Sequence, residues 1–426
     1  MRTRIRGARI LDPSSGRDEI GELDIDDGQI AELDSGATPD QVIEAEGLWL
    51  APGFVDLHTH LREPGQEYKE DIATGTRAAA AGGYTAVCTM ANTDPVNDSP
   101  AVTEYIRRRA HESAAVRVHV IAAATQQLRG EIMSEMASLA SAGAVAFSDD
   151  GAVIRNASVM RRVLEYARGV GRPVIAHCED LDLRGSGVVH EGASATCCGL
   201  PGSPAEAETV MVARDVELAR LTGAHLHIAH VSAGRSVDII REAKESGVRV
   251  TAEVTPHHLC LTDEAILNYD TNAKMAPPLR TARDQEALRQ GLADGTIDCV
   301  ATDHAPHAAY EKDLEFTAAA FGVVGLETAL PCVMELVIEG RLSALDAMAR
   351  LSTRPARVLG LRGGTLETGA PADLVLIDTE QVWKLEAVDL HSRSRNSPFL
   401  GRELRGRAML TWVGGNVVHA LDGDGT

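Results

Sequence analysis

GFVDLHTHL, residues 53–61, opens apolar, stays apolar at alternate positions and ends in two histidines. Seven later runs share that texture: YTAVCTMANT (84–93), VRVHVIAAAT (116–125), GAVAFSDDG (143–151), RPVIAHCED (172–180), AHLHIAHVS (224–232), VRVTAEVTPHH (248–258) and IDCVATDHAPH (297–307). Each begins like a buried strand, and almost every one ends in His, Asp, Asn or Thr. Between them lie segments with apolar residues near helical spacing, including 71–83, 160–171, 207–223 and 236–247. Eight such alternations predict a (β/α)8 barrel over residues 51–364. Both chain ends instead read as short strands between Gly, Asp and Pro turns. Residues 1–50 and 365–426 are therefore expected to combine into one small β-sandwich beside the barrel.

Composition bounds the function. The 426 residues carry 62 acids and 41 bases, a formal charge of −21, which argues against a nucleic-acid surface because phosphate binding needs a concentrated basic patch. Hydrophobic residues are 44% and charged ones 24%, as in a globular enzyme; aromatics are only 3%, so the core must be aliphatic. No apolar run reaches the roughly 18 to 20 residues of a membrane span. The first ten residues show no secretory signal. Seven scattered cysteines form neither a zinc-ribbon spacing nor a disulfide framework, so a reduced, cytoplasmic compartment is expected.

In a (β/α)8 barrel the chemistry occurs where strands give way to the following loops. One polar strand end is only a boundary, but eight of them, most with His or Asp, call for another reason. His58 and His60 lie two apart in a strand and so share a face, with Asp56 and Arg62 at the same parity. The fifth and sixth runs add His177 and His230. His225 and His227 have the opposite parity from His230 and are expected to face the helices. Asp303 ends the eighth run and suits both metal binding and proton transfer, while His304 alternates away. In the fourth run the bulky parity of Val145 and Phe147 takes Asp149 outward and sends Asp150 inward. Four histidines and two aspartates form a mixed N/O donor set for zinc-like ions, one more suited to two metals sharing a carboxylate than to one. A bridging hydroxide would then supply a nucleophile near neutral pH.

These residues fall within longer motifs: GFVDLHTHLREPG (53–65), MANTDP (90–95), IAHCED (175–180), IAHVS (228–232), EVTPHHL (253–259), KMAPPLR (274–280), ATDHAPH (301–307) and FGVVGLET (321–328). In this order they resemble the amidohydrolase superfamily and, within it, the long bacterial (type I) dihydroorotases, over nearly the whole chain. The resemblance implies a cytoplasmic enzyme that interconverts N-carbamoyl-L-aspartate and L-dihydroorotate in pyrimidine synthesis. Its implied metal ligands are His58, His60, Asp150, His177, His230 and Asp303, holding zinc, two ions per subunit or one. Asp303 is the implied general acid and base: it takes the proton of the attacking bridging hydroxide and passes it to the leaving ring nitrogen. Arg62, Asn92 and His307 match positions that hold the substrate's exocyclic carboxylate, and Phe321 and Gly322 match a loop that contacts the ring through its backbone. Homo-oligomerisation and partnership with aspartate transcarbamoylase are further expectations of the resemblance.

One residue departs from the pattern: Ala276 stands where relatives of this type usually carry Asn before PPLR. Weaker binding or altered preference is expected, with Asn272 as a possible replacement contact. Hydantoinases, dihydropyrimidinases and allantoinases are the nearest alternatives, but they typically bridge their metals with a carboxylated lysine, and residues 145–153 contain none. A silent scaffolding subunit would have lost metal ligands. His257 and His258 read as structural, Asp94, Asp98 and residues 25–28 as turns, and Lys312 as part of a loop over the site; His190 and Glu191 receive no role.

Overall fold

The computed structural model describes residues 2–33 and 38–421. Eight parallel strands follow one another in chain order: β1 (Phe54–Thr59), β2 (Tyr84–Thr89), β3 (Arg117–Ala122), β4 (Ala144–Ser148), β5 (Val174–Ala176), β6 (Leu226–Ile228), β7 (Val250–Val254) and β8 (Cys299–Val300). The His60 amide donates to the His304 carbonyl at 2.9 Å, joining the first and last strands and closing the (β/α)8 barrel.

The sequence explains both layers. Val87, Val120, Phe147, Val174, Leu226 and Val250 turn outward into one apolar core with the surrounding helices. Ala86, Cys88, Ile121, Ala146 and Ile175 belong to a second cluster. All four expected helical segments are helical. Ile72–Ala81 is opened by an Asp71 capping box with Thr74. Ala157–Gly169 is capped by Asn156. Glu206–Thr222 carries Glu206 and Glu208 in its first turn, suiting the helix dipole, and stops at Gly223 in a left-handed conformation. The fourth is Gly234–Glu245.

Strands from residues 2–52 hydrogen-bond with strands from residues 374–420 in one eight-stranded sheet beside the barrel. Leu50–Leu376 is a pair that crosses from one chain end to the other. Ile5, Ile10, Ile25, Leu374 and Trp412 give that sheet a core of its own. The strand Trp49–Pro52 straddles the expected boundary at residue 50, and residues 1, 34–37 and 422–426 of the expected sandwich lie outside the described residues. Among the described residues no helix is long and apolar enough to cross a membrane.

Candidate metal centre

A cleft of about 520 Å³ opens at the C-terminal ends of the barrel strands. His60, Asp150, His177, His230 and Asp303 line it, and His58 lies fully buried beneath them. The six side chains expected to bind metal are thus brought together.

Their atoms are arranged with a particular symmetry. Asp150 Oδ2 faces His58 Nε2 at 3.2 Å and His60 Nε2 at 3.4 Å. Its other oxygen, Oδ1, faces His230 Nε2 at 3.3 Å and His177 Nδ1 at 3.4 Å. Asp303 Oδ1 closes the first group, 3.2 Å from His60 Nε2 and 3.4 Å from His58 Nε2. One carboxylate therefore presents one oxygen to each of two histidine pairs. Ligand atoms about 2.0–2.1 Å from a tetrahedral zinc sit about 3.3–3.4 Å from one another, the spacing seen here. His177 Nδ1 and His230 Nε2 point at each other across 2.8 Å, and His58 Nε2 is buried with no hydrogen-bond partner. Neutral imidazoles arranged this way turn their lone pairs toward one place, which fits a divalent cation.

The carboxylates make the cluster favour positive charge. Burial disfavours a charged imidazole, yet Asp150 and Asp303 raise His58 well above its ordinary value. Against the same burial, Asp150 and Glu179 lift His177 to about 10. Burial alone would raise Asp303, but His58 and His60 hold it well below the usual carboxylate range, so it stands ionised.

Supporting partners fix the rings, as metal-site histidines require. His58 Nδ1 donates to Glu253 Oε1 at 2.8 Å, which turns Nε2 into the cluster. His60 Nδ1 donates to Asn92 Oδ1 at 2.8 Å, leaving the Asn92 amide nitrogen as a donor. Asp149 is taken up by the Thr125 amide and hydroxyl, so the outward carboxylate is structural. Asp56 accepts from the Thr302 and His58 amides beneath the cluster.

The carboxylate-binding candidates share the same cleft. Arg62 holds a left-handed backbone (φ 62°) and donates through Nε to the Pro306 carbonyl at 3.2 Å. Burial lowers it to about 10, still fully charged at neutral pH. His307 Nε2 lies 3.5 Å from an Arg62 terminal nitrogen, and its Nδ1 faces Glu311 at 3.4 Å. Arg129, Arg155 and Arg184 also line the cleft, so local positive charge opposes the −21 of the whole chain. Phe321 and Gly322 line the cleft beside Arg184 and His307. Gly322 is required there: its φ is +132°, and a Cβ would come within 2.8 Å of the Ala305 side chain.

Two sequence expectations need correcting. His227 faces the barrel interior, not the helices, because Glu253 bonds it at 3.0 Å. Strand alternation stops at Ile228, and His230, with φ of 32°, turns back inward. Both histidines therefore point the same way despite opposite parity. Asn272 does not replace the missing contact at Ala276: Ala276 lines the cleft, whereas Asn272 lines a neighbouring cavity with Lys312. His190, left without a role, accepts from Arg280 at 3.2 Å in a buried bracket that also holds the Ser203 carbonyl. His258 is structural as read, held by Thr255 and the Pro277 carbonyl. Glu253 went unnoticed, although a lone acid inside an apolar strand was signal enough.

A family described as "Dihydro-orotase-like" matches residues 47–236. Dihydroorotase from Geotalea daltonii is 53% identical over 421 residues, spanning 98% of this chain and 99% of that protein. Dihydroorotase from Anaeromyxobacter dehalogenans is 51% identical, with 98% of each chain covered. The chain belongs to the dihydroorotase family. It is a cyclic-amide hydrolase on a metal-site barrel. Among solved structures, an L-hydantoinase (dihydropyrimidinase) from Arthrobacter aurescens shares the fold with a TM-score of 0.89 at 24% identity, over 98% of this chain and 96% of that one. A dihydropyrimidinase from Brevibacillus agri gives 0.85 at 25% identity, over 99% and 95%.

Proposed function

We propose that this enzyme interconverts N-carbamoyl-L-aspartate and L-dihydroorotate, and that His58, His60, Asp150, His177, His230 and Asp303 would hold two zinc ions. The observation that carries the reading is the Asp150 carboxylate, each oxygen facing a different histidine pair, in one cleft with Arg62. When bound, such ions supply Lewis acidity toward an amide carbonyl and make water a nucleophile near neutral pH.

The chain's own residues supply the remainder. The Arg62 guanidinium offers a planar fork to the substrate's exocyclic carboxylate, and the free Asn92 amide nitrogen adds a donor. His307 holds the guanidinium from one side and completes that end of the cleft. Phe321 and Gly322 present main chain to the ring, with Phe321 carrying most of the contact: the Gly322 amide already donates to Lys274 O at 3.0 Å, and its carbonyl accepts from Asn396. Asp303, ionised at the cleft floor, takes a proton from the attacking water and delivers it to the ring nitrogen as the C–N bond breaks. In the synthetic direction it removes a proton from the ureido nitrogen instead. pH and concentration set the direction.

The Asp150 carboxylate between the two histidine pairs, and no lysine among the described residues lining the cleft, favour this substrate over hydantoins. Zinc-replete protein should hydrolyse dihydroorotate at least about 100-fold faster, in kcat/KM, than hydantoin or dihydrouracil. Equal turnover of the three would reject the assignment. Association with a second copy or with aspartate transcarbamoylase belongs to the same reading and is tested by gel filtration of each mixture.

A further inference from the structure

Two buried lysines stand behind the Phe321 wall, and the chemistry above uses neither. Lys274 is 1% exposed and donates through Nζ to the carbonyls of Phe316 (2.7 Å), Thr317 (3.0 Å) and Ala319 (2.6 Å). Lys312 is 6% exposed and donates to the carbonyls of Lys274 (3.2 Å), Ala320 (2.8 Å) and Gly322 (3.0 Å). An ammonium has three N–H donors and no acceptor, so each lysine is saturated, and only in its charged form. Neither pairs with a carboxylate among the described residues.

Burying a charge without a counter-ion is costly. Burial and the Lys274 charge push Lys312 down to about 7; burial and Arg184 push Lys274 to about 8. Something in the fold must offset that cost. All but one of the six carbonyls belong to residues 316–322, a stretch with no helix or strand of its own. The clamp brackets one residue: Ala320 is held at its amide by the Glu311 carbonyl and at its own carbonyl by Lys312, and Gly322 is held at both groups. Phe321 lies between them, its ring 4.4 Å from the Lys274 ammonium and 5.0 Å from the Arg184 guanidinium.

We propose that Lys274 and Lys312 are positioning residues, two ammonium clamps that hold the main chain of residues 316–322 so that Phe321 meets the substrate in the cleft. The inference rests on the proposed contact between Phe321 and the substrate ring. A merely structural role would lower stability and leave substrate affinity unchanged.

The test uses zinc-replete Lys274→Met and Lys312→Met, with dihydroorotate kinetics, bound metal and amide hydrogen exchange measured on each. KM should rise about tenfold or more with kcat within about threefold, because uniform binding is lost and the chemistry is kept. Bound metal should stay at the wild-type level, and exchange over 313–323 should quicken about tenfold while β1–β8 are unchanged. Unchanged exchange overturns the clamp. Faster exchange with an unaltered KM overturns its link to substrate. If the methionine variants fail to fold, Lys312→Gln, which keeps two donors, is read by the same criteria. Wild-type protein that cannot turn over dihydroorotate would instead overturn the reading on which the inference rests, while exchange in the variants would still report on the clamp.

Discussion

Two clusters of buried imidazole and carboxylate lie one below the other in this barrel, and only one opens to the cleft. The upper one, around Asp150 and Asp303, has ring nitrogens facing one another and His58 Nε2 without a partner. The lower one groups His227, Glu253 and Cys299 within the same short range. There His227 and Glu253 are matched: Glu253 accepts from His58 and His227, and Thr251 bonds both His227 and His225 at 2.9 Å. Hydrogen bonds from His227 and His58 outweigh burial and hold Glu253 at about 2, while burial keeps the Cys299 thiol protonated. Residue type alone does not mark a metal site. Converging lone pairs beside an open cleft do.

The sharpest way to break this contrast is in the upper cluster. Asp303→Asn, assayed metal-replete, should lose about 10³-fold in kcat with a modest change in KM, as expected for a missing general acid and base. Activity near wild type would remove Asp303 from proton transfer. One step down, Glu253→Gln keeps the shape but weakens the grip on His58; metal affinity should fall about 10- to 100-fold, read by competition with a chelator. Unaltered affinity would show that the lower network does not support the upper one.

The lower network itself should answer to pH. Burial, then His227 and Arg249, hold His225 down at about 4. A folded value below the ordinary one of about 6.5 means that stability is fully present above pH 6.5 and is lost as pH falls toward 4. Wild type should lose about 1–2 kcal/mol more than His225→Gln across that window in urea denaturation, after allowance for partial exposure. Parallel curves would place the titration elsewhere. The smallest effect is expected at the cleft wall. Ala276→Asn restores a polar contact worth about 1 kcal/mol, so KM for dihydroorotate should fall a few-fold. An unchanged KM would make the substitution irrelevant.

The barrel was legible because each strand carries its own signature, apolar along its length and polar at its end. His58 and His60 were legible because they lie two apart where β1 ends, and both rings reach Asp150. Parity failed at His227 and His230 because β6 ends at Ile228 and the chain turns through a left-handed residue that no alternation rule anticipates. Asn272 was misassigned for a related reason: it lies in a short turn three residues before the Met275–Ala276 step, and sequence distance there says nothing about which cavity is lined. The lysine clamps were invisible because their partners are backbone carbonyls, which leave no mark on residue type.

The central claim is that catalysis depends on metal held by the upper cluster. Protein stripped by a chelator and titrated with Zn²⁺ should recover dihydroorotate hydrolysis in step with bound metal, saturating near two equivalents per chain. Asp150→Ala, titrated alongside, should neither reach that occupancy nor recover the rate. Full hydrolysis by metal-free wild type, or recovery by Asp150→Ala equal to wild type, would contradict the claim.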